Sequence, residues 1–279
     1  MNSRSGWRFT LPGLAWLLLW GGVPLLIVVA YSLMERSIYG GVERGFTLDA
    51  YAQLLDPLYL GIIARTLLLS LIATLGCLLI GFPMAYVIAR SGRWRRWLLL
   101  LVVLPFWTSF LVRTYAMIFL LRDTGLINST LMSLGIIDAP LDLLYTPGAV
   151  LAGLIYGFLP FAILPIYASL EKLDPTLLEA AEMLGARPAT RFWRVTLPLA
   201  MPGVVAGGLL VLIPALGSFL TPDLLGGAKT TLLGNLIQNQ FTTGRDWPFG
   251  AAASVLLLVG TFIALVWHLK RSDAEGESA

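Results

Sequence analysis

The groups able to do chemistry in this chain are few, and they fall into two sets. One is a polar passage from Glu171 to Gly203, set between apolar stretches, that carries Glu179-Ala180-Ala181, Gly185-Ala186, Phe192, Leu197-Pro198 and Pro202-Gly203. These are docking residues by type: charged groups beside small ones that let another backbone come close. The other set lies in or beside apolar segments and comprises Trp107, Arg113, Tyr115, Asp123, Phe219 and Asp223. Such groups suit a gate or the recognition of a charged solute. Bond-breaking has no support. A single His268 and a single Cys77 exclude a Cys/His metal cluster and a disulfide framework. No G-x-x-x-x-G-K-S/T phosphate loop is present, and a lone His makes no nucleophilic triad with a membrane serine. Catalytic and metal-binding residues are therefore read as none, and the chain is not read as an enzyme.

The elements that must position these groups follow from composition. Hydrophobic residues make up 57% of the 279, charged ones 13%, and mean hydropathy is +0.81, far more apolar than a soluble domain of that length requires. Division by the roughly twenty residues that cross a bilayer gives six spans, near 11–33, 64–89, 97–121, 147–170, 201–220 and 248–269. Residues 34–60 read as a mixed polar segment, and the tail from Ser272 to Ala279 as a short, acidic, disordered end. The organisation expected is an N-terminal segment with the first span over 1–60, a five-helix core over 61–269 containing the loop 171–200, and a tail over 270–279.

Lys and Arg in short loops resist translocation, so their distribution sets orientation. One set of flanks holds Arg4, Arg8, Arg90, Arg93, Arg95, Arg96, Lys172, Arg187, Arg191, Arg194, Lys270 and Arg271. The opposite set holds only Arg36, Arg44, Arg122, Lys229 and Arg245. Both termini and the 171–200 loop are thus expected on the cytoplasmic side. The net charge of +3 reflects basic residues facing anionic lipid, and their dispersal makes no nucleic-acid footprint.

Within the polar passage, Asp174 or Thr176 can cap a helix with Pro175 in its first turn, and Gly185 stands where a left-handed C-terminal cap falls. Leu177, Ala181 and Leu184 share one stripe, Glu179 and Glu182 another. A second amphipathic piece sets Phe192 and Val195 against Arg191 and Arg194. The pattern alone allows either a solvated loop at the membrane surface or a docking element.

Arg113 lies about sixteen residues into the third span, toward the outer half of a straight helix. It belongs to an outer gate or pairs with an acid such as Asp123, or else it snorkels to the headgroups. Pro105 kinks this span, and Trp107, Phe110 and Tyr115 line it or anchor it at the interface. Asp223 either holds a cationic group, with Phe219 or Phe241 supplying a cation–π face, or caps a helix beginning near Leu224.

The spacing from Glu179-Ala180-Ala181 through Gly185 to Pro202-Gly203 resembles the EAA loop of permease subunits of bacterial ABC importers. The resemblance sharpens at Pro105–Tyr115, at Gly125-Leu126-Ile127-Asn128 and at Thr221–Gly227, which look like the permeases of spermidine/putrescine importers; it extends over most of residues 60–268. It implies an all-α integral membrane protein of the bacterial inner membrane, with the six-helix type I importer fold and a cytoplasmic coupling helix. Glu179, Ala180, Ala181, Gly185, Ala186, Phe192 and Pro198 would then contact the ATPase, while Trp107, Arg113, Tyr115, Asp123, Phe219 and Asp223 would line the substrate pathway or outer gate. The implied partners are a second homologous permease, a cytoplasmic ABC ATPase dimer that uses ATP and Mg, an extracytoplasmic solute-binding protein and membrane lipid. No cofactor is expected on this chain. Related permeases carry thiamine, ferric iron, sulfate or phosphonate, so these remain alternative solutes. An ATPase-independent channel or secondary transporter would show ionisable pairs deep in its spans, and the central spans lack acids. A purely structural membrane subunit is the third class.

Overall fold

The computed structural model of the protein describes residue 10 and residues 12–276, with side chains described as far as residue 266 except at Ala228. Arg4, Arg8, the side chains of His268, Lys270 and Arg271, and the last three residues of the tail lie outside the described residues. Two compact units divide the chain: residues 1–62 with 236–279, and residues 63–235. The last span is thereby grouped with the N-terminal segment.

In the first unit α1 (Pro12–Tyr31) is apolar throughout. Residues 34–60 are more ordered than a mixed polar segment suggests. They form an antiparallel hairpin, β1 (Met34–Arg36) with β2 (Val42–Phe46), followed by α2 (Asp49–Leu54). Gly40 and Gly41, at φ 89° and 86°, make the turn that a side chain would resist. Arg36 ties the hairpin to the turn before the last helix, 3.1 Å from Asp246, and the Gly41 N–H donates to the Arg245 carbonyl at 2.9 Å. That helix, α13 (Trp247–Gly276), continues through most of the tail. The expectation of a disordered end is thus corrected for residues 272–276, whose polar residues extend the helix beyond its apolar part.

Two helices cross from one unit into the other, α3 (Pro57–Arg90) and α12 (Leu233–Thr242). The second unit adds α4 (Arg95–Val103), α5 (Phe110–Leu121), α6 (Leu126–Ser133), α7 (Pro147–Glu171), α8 (Pro175–Met183), α9 (Pro188–Arg191), α10 (Leu197–Leu216) and α11 (Leu220–Gly226). Its centre is the packing of α7 on α10. Between lipid-embedded helices, association relies on close van der Waals fit, and small residues permit it. Gly207 lies so near α7 that a Cβ there would meet the Ala162 carbonyl oxygen at 3.0 Å, and one at Gly203 would collide with Ser169 and the Pro165 carbonyl. Buried Ala162, Ala200 and Val211 complete the seam, and Cys77 of α3 donates to the Ile155 carbonyl at 3.5 Å.

The third span is not one helix. Pro105 has no N–H for the Leu101 carbonyl, and Thr108 turns extended at φ −90°, ψ 144°, with its hydroxyl donating to the Pro105 carbonyl at 2.7 Å. The chain bends 93° between Gly92–Trp107 and Phe110–Ser133. Among the described residues, five helices are long and apolar enough to cross a membrane, and a sixth span results if the bent pair counts as one.

Candidate functional site

The polar passage folds as two short helices feeding a long one. Asp174 caps α8, accepting from the Thr176 N–H at 2.9 Å, and Pro175 takes the first turn, where a missing donor costs nothing. Hydrogen bonds from the Thr176 backbone N–H and then its side chain hold the Asp174 carboxyl below the usual carboxylate range. At the other end Gly185, at φ 79°, donates to the Glu182 carbonyl at 2.8 Å, and Ala186 donates to the Ala181 carbonyl at 3.0 Å. These two bonds form a Schellman cap, and they make Gly185 the residue that reverses the chain.

No residue of α8 is buried, and Met183 and Leu184 are 89% and 88% exposed. This is a presented helix. Behind it lies a cleft of about 540 Å³ lined by residues of α3, α7 and the loop, with Tyr86, Arg90, Glu179 and Arg191 among its polar walls. Phe192 is turned inward over this cleft. It packs edge to face on Phe82 of α3 with ring centres 5.5 Å apart, so it braces the loop from within. Pro198 sits just after a π turn over Phe192–Thr196, in which the Leu197 N–H reaches the Phe192 carbonyl. Widening the turn accommodates a proline that cannot donate to the Arg194 carbonyl. The second amphipathic piece therefore runs into the fifth span as one rod, Pro188–Leu216, instead of ending before it.

The second candidate set is spread out. Because of the break at Thr108, Arg113 starts a new helix, and the depth counted along a straight span no longer applies. Its guanidinium stands over Phe106 and Phe110, 5.4 and 5.5 Å from their ring centres, while Nε and Nη1 are buried without a hydrogen-bond partner. The ion pairs among the described residues do not include it, so the expected pairing with Asp123 is absent. The charge is folded back onto these two aromatic faces. Trp107 (81% exposed), Tyr115 and Asp123 are exposed on the 3-10 turn Leu104–Trp107 after α4, on α5 and on the turn that follows α5. Asp223 stands inside α11, one turn after Phe219, and its N–H donates to the Phe219 carbonyl at 3.0 Å. The cap of a helix starting near Leu224 is thus corrected: the helix begins at Leu220, because Pro222 fits its first turn. None of these six residues lines the 540 Å³ cleft.

Several structural residues carried little signal in the sequence. Buried Asn128 pins the loop after α6 by exchanging bonds with Leu141, both at 2.9 Å. Gly227, at φ 55°, lies against the Tyr145 ring, where a Cβ would come within 2.8 Å. Glu182 and Arg191 form an ion pair across the Gly185 turn, a pairing detectable only once the turn is known to reverse the chain.

A family model described as a binding-protein-dependent transport system inner membrane component matches residues 77–269. The chain belongs to this family. The spermidine/putrescine transport system permease protein PotB of Salmonella typhimurium strain SL1344 is 46% identical over 92% of this permease and 90% of its own length. PotB of Haemophilus influenzae is 47% identical over 88% of this permease and 86% of its own length. Among solved structures, that of a bacterial ABC transporter involved in the import of the acidic polysaccharide alginate shares the fold, with a TM-score of 0.72 over 95% of this permease and 94% of that chain at 20% identity. The permease thus has the type I ABC importer fold and is a membrane transport subunit, not an enzyme. It works in the inner membrane within a binding-protein-dependent system.

Proposed function

We propose that this permease forms part of the inner-membrane pathway of an importer for polyamines, spermidine and putrescine, and is driven by a separate ATPase. The observation that carries the solute assignment is the 46% identity, over nine-tenths of both chains, to a permease named for those two solutes. Carboxylates and aromatic faces are what a di- or polyammonium ion requires, and exposed Asp123, Asp223, Trp107 and Tyr115 supply both. Arg113 is compatible with such a path because Phe106 and Phe110 cover its charge.

The 171–203 loop faces the cytoplasm in this reading, which the excess of Lys and Arg on its side of the membrane supports. Exposed α8, with Glu179, Ala180 and the Gly185 turn, docks on an ABC ATPase dimer, which holds the ATP and Mg. A second, homologous permease completes the pathway and an extracytoplasmic binding protein delivers the solute. ATP-driven closure of the ATPases moves α8 and so biases the bundle between outward- and inward-facing states, which differ in their contacts. Solute choice is tested by competition. Unlabelled spermidine should suppress uptake of labelled putrescine by the reconstituted importer, whereas thiamine, ferric iron, sulfate and phosphonate should not; the reverse pattern would reassign the solute.

A further inference from the structure

We propose that Arg191 is a positioning residue: its ion pair with Glu182 fastens α8 to the α9–α10 rod, so that displacement of the docking helix is delivered to the fifth span. The inference rests on the docking role of α8 given above and concerns how that docking is transmitted. Three observations carry it. First, α8 has no buried residue and a cleft of about 540 Å³ behind it, so packing alone holds it loosely. Second, among the described residues, the Arg191–Glu182 pair is the one side-chain hydrogen bond or ion pair that joins residues 174–186 to the rest of the chain. Without it, the turn over Leu184–Arg187 would be the compliant joint between the two helices. Third, Arg191 stands on a rod continuous from Pro188 to Leu216, and that rod packs on α7 through Gly203 and Gly207. Force applied at Glu182 therefore arrives on a helix already engaged with the core.

The neighbouring arginines serve other elements: Arg90 lies over the Tyr86 ring within α3, and Arg95 pairs with Glu171 at 2.9 Å, at the end of α7. The latter pair steadies the near end of the loop and leaves α8 untouched. The Glu182 side chain is 65% exposed, so the pair contributes little to folding and its removal leaves the subunit intact. What it changes is the transmission of motion.

The test uses the complete importer in proteoliposomes, reading solute taken up per ATP hydrolysed. Arg191→Glu should lower that ratio about five-fold while ATP hydrolysis and recovery of the assembled complex hold, and the exchanged pair Glu182→Arg with Arg191→Glu should restore it. Should Arg191→Glu fail to insert, Glu182→Gln at its exposed position carries the same expectation. A purely structural role would lower uptake and hydrolysis together, and that outcome overturns the proposal, as does an unchanged ratio in either single variant. Loss of the ATPase from the wild-type complex would instead overturn the docking role itself.

Discussion

Gly185 and Glu179 carry the docking assignment at the level of single residues. Gly185 holds φ 79°, which an L side chain adopts at a cost of about 1–2 kcal/mol, and open space surrounds it. Gly185→Trp should therefore insert normally but abolish ATP-driven uptake, because a bulky group is placed on the presented turn; Glu179→Arg should do the same by reversing charge. Membrane insertion by immunoblot and uptake in the same vesicles check both. Arg113 makes a different forecast. Its buried Nε and Nη1 lack acceptors, so Arg113→Met should leave the melting temperature of the detergent-solubilised importer unchanged or raise it. A drop of several degrees would show that the guanidinium has a partner in the assembled importer. Asp174 supplies a pH dependence. Its pKa is lowered in the fold, so the cap is fully present above the ordinary carboxylate pKa and is lost as pH falls through the depressed value. Amide exchange over residues 175–183 should accelerate only in that acidic window, and Asp174→Asn should abolish the dependence.

At the level of elements, the seam between α7 and α10 is the most tightly constrained part of the protein. Gly207→Leu would drive a side chain into the Ala162 backbone and should destabilise the subunit by about 1–3 kcal/mol, seen as a lower melting temperature in detergent with loss of assembled complex. Most of these elements were legible in the sequence because lipid enforces apolar runs of nearly fixed length. The α8 caps were legible too, since Asp174, Pro175 and Gly185 each act within four residues of chain. What escaped was non-local. The break at Thr108 looked like a kink, because Pro105 announces a missing donor but not the 93° that its surroundings impose. The β1–β2 hairpin was obscured by its shortness, and it depends on Arg36 reaching an aspartate 210 positions further along the chain.

At the scale of the whole molecule, membership of the binding-protein-dependent permeases follows from the match over residues 77–269, and the spacing around Glu179 already pointed there. The 171–203 loop was the half of the candidate site whose local structure was readable, because its caps are made within a few residues of chain. The pathway half was not readable, since Trp107, Arg113, Tyr115, Asp123, Phe219 and Asp223 sit on four separate elements and no spacing rule relates them. A channel that works without ATPase would leave the presented α8 with nothing to bind. The decisive measurement is accumulation of radiolabelled spermidine and putrescine in proteoliposomes holding this permease with its second permease, ATPase and binding protein. The account predicts accumulation that requires ATP and the binding protein and vanishes with Glu179→Arg. Entry of either polyamine through this chain alone, or transport untouched by Glu179→Arg, would contradict it.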